Sequence, residues 1–152
     1  MSFARDVLSL CDHDDLPPHL DGSLAVFAYT QDPGLEVHDI DLNCSESDFP
    51  RLHQILNLHG FASKVTDWHV LQIRRDGLKV EFGATEYWMQ GITDDREILE
   101  INDVQLLMVS VESLRELYRR GLADTAETSD GADPAKHRAQ KEKLRLLDSI
   151  RT

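Results

Sequence analysis

The spacing of hydrophobic and polar positions changes repeatedly along this chain, and each change predicts an element. Residues 3–11 (FARDVLSLC) set Phe3, Val7, Leu8 and Cys11 on one side of a short helix, which Pro17 and Pro18 prevent from continuing. An apolar segment follows in PHLDGSLAVFAYTQ, interrupted at Gly22-Ser23 where a strand turns into a helix. Residues 37–42 (VHDIDL) alternate closely enough to predict a strand. Residues 48–59 predict a helix: Ser47 or Asp48 caps it and Pro50 lies in its first turn. Phe49, Leu52, Ile55 and Leu56 form its apolar stripe, and Gly60 stops it.

The clearest local pattern is HVLQIRRDGLKVEFGA, two β-rich runs over 69–74 and 78–83 hinged at Asp76-Gly77, a pair suited to the positive φ angles of a type I′ turn. Alternation in the second run puts Leu78, Val80 and Phe82 on one face and Lys79, Glu81 and Gly83 on the other. Residues 84–103 carry no decisive period. VQLLMVS (104–110) reads as a strand and 111–120 as a helix. The small, polar and acidic stretch 121–133 reads as a mobile loop, and a last helix over 134–150 starts at Asp133-Pro134.

Composition narrows the class. A chain of 152 residues fits one domain, and no stretch has the 18 or so apolar residues of a membrane span. The N-terminus lacks the apolar core of an export signal, so a cytoplasmic protein without a membrane partner is expected. Cys11 and Cys44 lie in unlike contexts and predict reduced thiols. The net charge of −12 argues against general nucleic-acid binding, which needs a basic surface. Against that background KHRAQKEKLR (136–145) stands out, with five of the 16 Lys and Arg residues. Such a segment suits a small anionic ligand or is a solvated helix face.

Candidate chemistry centres on Asp39 and Asp41. On a strand they share a face about 6.6 Å apart, and two close carboxylates repel unless a cation lies between them. Oxygen-only ligands suit Mg²⁺ or Mn²⁺. The Gly22-Ser23 turn offers close backbone approach and a hydroxyl to a phosphate. Glu81, bracketed by Val80 and Phe82, supplies a third acid from a later strand, with Glu86 as an alternative. His38 points away from the aspartates by alternation. His53 and His59 do not share a helix face, and no zinc spacing occurs. Trp68 and Trp88 are candidates either for stacking on a base or for the core.

The run LDGSLAVFAYTQDPGLEVHDIDLNCSESDFPRLHQILNLHGF resembles the core of the polymerase-β-type nucleotidyltransferase superfamily, in particular the small antibiotic nucleotidyltransferases and the antitoxin-type minimal nucleotidyltransferases. The resemblance covers residues 16–147, most strongly 20–83. It implies an α/β (α+β) fold with a mixed sheet of four to five strands flanked by helices, in a single domain over 1–152. It further implies Asp39, Asp41 and Glu81 as catalytic and metal-ligating residues, and Gly22 and Ser23 as nucleotide-binding. Lys136 and Lys141 are the phosphate-facing candidates of the terminal helix, where the family's usual Lys-Asp pair is absent. The gap between Gly-Ser and Asp-x-Asp is longer than is usual in the family.

The implied activity moves a nucleoside monophosphate from a nucleoside triphosphate, ATP foremost, to a hydroxyl of a small molecule or protein, with Mg²⁺ or Mn²⁺ as cofactor. The alternative is an antitoxin-type or degenerate member acting by binding a protein partner, to which an acidic surface would be suited. Either could be a homodimer.

Overall fold

The computed structural model of the chain describes residues 6–7, 10, 18–93, 95–101, 104–127 and 134–150. Its centre is a mixed sheet of seven strands, more than the four to five expected. These are β1 (His19–Asp21), β2 (Ile40–Cys44), β3 (Ser63–Val65), β4 (Val70–Arg75), β5 (Leu78–Ala84), β6 (Arg96–Ile101) and β7 (Val104–Val109). The helices are α1 (Gly22–Thr30), α2 (Phe49–Leu58), the single-turn α3 (Thr85–Trp88), α4 (Val111–Glu127) and α5 (Pro134–Asp148). The spatial order is β3-β4-β5-β2-β1-β7-β6. The strand expected before Gly22 is β1, and the two further strands are three-residue β3 and, within the unassigned 84–103, β6. Short strands give period-2 patterning too few residues in which to appear.

The β4–β5 hairpin forms as its sequence dictates. Asp76 and Gly77 take φ angles of 52° and 81°, the paired positive values of a type I′ turn. Val80, Phe82 and Ala84 are buried on one face of β5. They join Leu42, Leu52, Leu56 and Leu71 in the core. Full burial of a side chain of this size contributes roughly 1.5–3 kcal/mol, as an upper bound. Lys79, Glu81 and Gly83 lie on the other face, only partly covered.

Two boundaries differ from the sequence expectation in ways that matter. β2 spans Ile40–Cys44 and not 37–42, so Asp39 precedes the ladder instead of lying within it. The cause is register: Ile40 pairs Val80 on one side, and on the other β1 ends at Asp21 opposite Asp41. Helix α4 continues through 121–127, where a loop was expected, while 128–133 lies outside the described residues. The small residues of that segment break no helix by themselves. Of the helix expected at 3–11, Val7 is helical and wholly buried, and Phe3, Leu8, Cys11 and the Pro17 stop lie outside the described residues.

Helix α5 is tied to α4 by Arg115, a buried guanidinium. Its Nε and Nη2 donate to the Leu147 carbonyl at 3.2 and 2.7 Å, Nη2 also donates to the Ile150 carbonyl at 2.7 Å, and Nη1 donates to Glu112. Leu147 lies in the last turn of α5 and Ile150 just beyond it, where carbonyls run short of intrahelical N–H partners. The bonds fix the helix that brings Gln140 and Lys143 over the sheet.

Candidate active site

Strand pairing lines up three acids. Asp21 is directly opposite Asp41 across β1–β2, and Asp41 is opposite Glu81 across β2–β5. The next strand contributes Gln72, paired with Glu81. One row of the sheet therefore reads Asp21, Asp41, Glu81, Gln72.

The Asp21–Asp41 end is tight because of Gly22, the first residue of α1, at φ +64°. A Cβ there would lie 2.3 Å from Asp41 Oδ2 and 2.9 Å from Asp41 Cβ. Only glycine allows both the backbone angle and the approach of the Asp41 carboxylate. Asp21 caps α1, its Oδ1 accepting the Gly22 N–H at 2.7 Å, and its Oδ2 accepts from Asn43 Nδ2 at 2.9 Å. The first N–H of the helix is therefore already taken by Asp21.

Asp41 itself receives no hydrogen bond from the described residues. Its pKa is raised from the ordinary 3.8 to about 6, by burial first and then by the charges of Asp21, Glu81 and Asp39, with Lys79 opposing them. Burial raises Asp21 as well, against the pull of its Gly22 and Asn43 hydrogen bonds.

The Glu81 end is neutralised. Lys79 Nζ lies 2.6 Å from Glu81 Oε1 and 3.4 Å from Asp39 Oδ2, and Gln72 Nε2 donates to Glu81 Oε2 at 2.9 Å. The Glu81 hydrogen bond, foremost, holds the Lys79 ammonium above the usual lysine range. The row of acids forms the floor of a cleft of ≈ 410 Å³. Trp68 and Trp88 line it beyond Glu81, and Leu117, Tyr118 and Gln140 line it from α4 and α5. Both tryptophans keep large exposed areas, 50% for Trp68 and 42% for Trp88. Trp88 seats against Gly83, where a Cβ would meet its ring at 3.1 Å, and its indole donates to the His69 carbonyl at 3.3 Å.

Over the other end, burial and then the charges of Asp21 and Asp41 raise the Tyr118 phenol, while a hydrogen bond from Ser23 counteracts them. Lys143 Nζ is 5.9 Å from the Tyr118 ring centroid. Burial lowers its pKa, Asp41 raises it and Lys136 lowers it.

The structure thus brings together Gly22, Ser23, Asp39, Asp41 and Glu81. Lys136 and Lys141 stand on exposed positions of α5, and Lys143 is the half-buried lysine that Asp41 influences. Glu86 faces elsewhere, accepting from the Ser45 hydroxyl at 2.5 Å and the Glu46 N–H at 3.0 Å. His38 is paired with Glu36 at 3.1 Å, away from the acids. Asp21, Asn43, Lys79, Tyr118 and Lys143 are participants that sequence reasoning did not single out. Two signals were present: Asp21 adjoins Gly22, and alternation puts Lys79 on the face of Glu81. Among the described residues no three His, Cys, Asp or Glu side chains close into a ready-made metal cage.

No protein-family profile matches the chain. No curated protein sequence matches it either. Solved structures do. The crystal structure of ANT(2'')-Ia in complex with adenylyl-2''-tobramycin superposes with a TM-score of 0.69 at 18% identity, over 96% of this chain and 86% of that one. The lincosamide antibiotic adenylyltransferase LnuA, with lincomycin bound, gives 0.65 at 15% identity, over 97% and 96%. An antigenic nucleotidyltransferase-like protein from Paracoccidioides brasiliensis gives 0.58 at 17% identity, over 90% and 69%. The chain has the fold of these nucleotidyltransferases.

Proposed function

We propose that this chain is a nucleotidyltransferase that moves a nucleoside monophosphate from a nucleoside triphosphate to a hydroxyl of a small molecule. The observation carrying this reading is Asp41, a half-buried acid pressed against Gly22 between two other acids, with no hydrogen-bond donor of its own among the described residues. Such a carboxylate calls for a cation. Asp39 and Asp41 fit a divalent ion as oxygen donors, the ligand type that Mg²⁺ takes. When bound, that ion would neutralise charge developing on the phosphates.

The chain's own groups divide the remaining work. Ser23, Tyr118 and Lys143 stand where a triphosphate running along α1 and α5 would meet them. Lys143 is placed for this role instead of Lys136 or Lys141. Glu81 accepts the proton of the acceptor hydroxyl as its oxygen attacks the α-phosphorus, and pyrophosphate leaves from the opposite side. Trp68 and Trp88 lie beyond Glu81 and present ring faces to the acceptor. No described helix is long and apolar enough to cross a membrane.

The test is thermal unfolding with each nucleoside triphosphate, with and without Mg²⁺ or Mn²⁺, followed by pyrophosphate release with hydroxylated antibiotics such as tobramycin and lincomycin. Ligand at about a hundred times its Kd adds roughly 2.7 kcal/mol of stability. A metal-dependent upward shift in Tm is expected, and Asp41→Asn abolishes it. An unshifted Tm at millimolar nucleotide in a folded protein would overturn the catalytic reading and favour a role in binding a protein partner.

A further inference from the structure

Lys79 has no part in the reading above, yet it is the cation closest to the acids. It stands two residues before Glu81 on β5, so both side chains rise from the same face. Register does the rest. Asp41 pairs Glu81 and Ile40 pairs Val80, so Asp39 comes beside Lys79 just as Asp41 comes beside Glu81. The four side chains form a square with the ammonium at one corner, 2.6 Å from Glu81 Oε1 and 3.4 Å from Asp39 Oδ2.

The other oxygens in the cluster are unequally engaged. Gln72 donates to Glu81 Oε2, so both oxygens of Glu81 are in use. Both oxygens of Asp21 are used as well, by the Gly22 N–H and by Asn43. Asp41 alone has no donor from the described residues. A divalent ion therefore meets open donor capacity at Asp41 and on the free side of Asp39. An ion approaching Glu81 Oε1 would have to displace an ammonium at salt-bridge distance. Lys79 is also well covered, its side chain 22% exposed, so its charge is not dissipated into bulk water.

We propose that Lys79 takes the place of a second metal ion: it neutralises Glu81 and Asp39 from within the chain, so that the site takes one divalent cation, and it positions Glu81 as proton acceptor and not as metal ligand. This rests on the nucleotidyl-transfer reading for the identity of the bound substrate, but its prediction is a count, not a rate.

The count is Mn²⁺ bound per chain, read from the EPR signal of free Mn²⁺ in titrations of the protein with one equivalent of α,β-methylene-ATP. The wild type is expected to bind one ion. Lys79→Met, which keeps the aliphatic stem and removes the charge, is expected to bind two, and Lys79→Arg returns the count to one. A second readout guards against a merely structural effect: without metal the Tm of Lys79→Met falls below that of the wild type, and Mn²⁺ restores more of it than it adds to the wild type. Two ions in the wild type, or one in both wild type and Lys79→Met, would overturn the proposal while leaving nucleotide binding intact. Failure of every variant to bind Mn²⁺-loaded α,β-methylene-ATP would overturn the nucleotidyl-transfer reading and this proposal with it.

Discussion

The two ends of the acid row are built on opposite principles. Where β1 meets β2, Asp21 and Asp41 are half-buried side by side against a glycine, and Asp41 is left without a donor among the described residues. On β5, Glu81 is surrounded by donors, with Lys79 on one oxygen and Gln72 on the other. The same residue chemistry, carboxylate on a central strand, is thus kept under repulsion in one place and at rest in the other. Repulsion between like charges in a desolvated site is relieved by a proton or by a cation, so on the proposed reading the β1–β2 end is where an external ion would bring most stabilisation. The β5 end has its counter-charge built in and faces the two tryptophans, which suits the partner that supplies a hydroxyl.

The largest effect should come from breaking the close approach that creates the repelled end. Gly22→Ala places a methyl 2.3 Å from Asp41 Oδ2 at a φ of +64°. The backbone angle alone costs about 1–2 kcal/mol in a residue with a Cβ, and the overlap adds to it. A loss of roughly 3 kcal/mol or more is expected, read as a fall in denaturation midpoint at unchanged m-value. Combining it with Asp41→Gly removes the clashing carboxylate, so the double variant should lose less than the two singles together. Strict additivity would mean that the contact does not govern the site.

Next in size is the release of repulsion. Asp41→Asn should stabilise the metal-free protein by on the order of 2 kcal/mol while abolishing nucleotide-dependent stabilisation. The sign under pH follows from linkage. The Asp41 pKa is raised from 3.8 to about 6 in the fold, so the folded state binds its proton more tightly than the unfolded chain does. Stability of the metal-free protein therefore falls as pH rises from about 4 to about 6, and the penalty stays constant above that. Tm measured in chelator across this window, wild type against Asp41→Asn, isolates the effect. Parallel profiles would show that Asp41 is not held under repulsion.

How much of this was legible beforehand follows from where each contact lies in the chain. The hairpin was readable because its turn and its alternation are local, and Glu81 came with it. The Asp39/Asp41 pair and Gly22-Ser23 were legible as residue types in a familiar order, though at a longer spacing than usual. That Asp41 and not Asp39 occupies the centre was not, because it depends on β2 starting at Ile40, and that start is fixed by partners 20 residues before and 40 after. Asp21 was passed over for a similar reason: its role arises from antiparallel pairing of its own three-residue strand with β2. Lys143 was hidden by the uniformity of its own segment. Five Lys and Arg residues alternate along 136–145, and only the seating of α5 through Arg115 selects which of them turns toward Asp41.

The division between the two ends can be sharpened at the tryptophans. Trp68→Ala and Trp88→Ala should each raise the acceptor KM by about tenfold, near 1.4 kcal/mol, and leave the nucleotide KM within about twofold. Steady-state kinetics with each substrate varied in turn gives both numbers. A rise confined to the nucleotide would reverse the assignment and put the base, not the acceptor, against the rings.

The smallest expected effect is the most direct comparison of the two ends. Glu81→Gln keeps the shape of the side chain and its hydrogen-bonding capacity toward Gln72 but removes the charge that Lys79 faces at 2.6 Å. Lys79 retains Asp39 at 3.4 Å, so the loss is partial, on the order of 1 kcal/mol in the metal-free protein. Its direction is what matters. Removing a charge at Asp41 should stabilise the fold, and removing a charge two strand-positions from Lys79 should destabilise it, although the two acids are direct neighbours in the sheet. Urea midpoints of the two variants in chelator decide the matter. If both substitutions stabilise, Lys79 does not neutralise Glu81, and the two ends of the row are electrostatically alike.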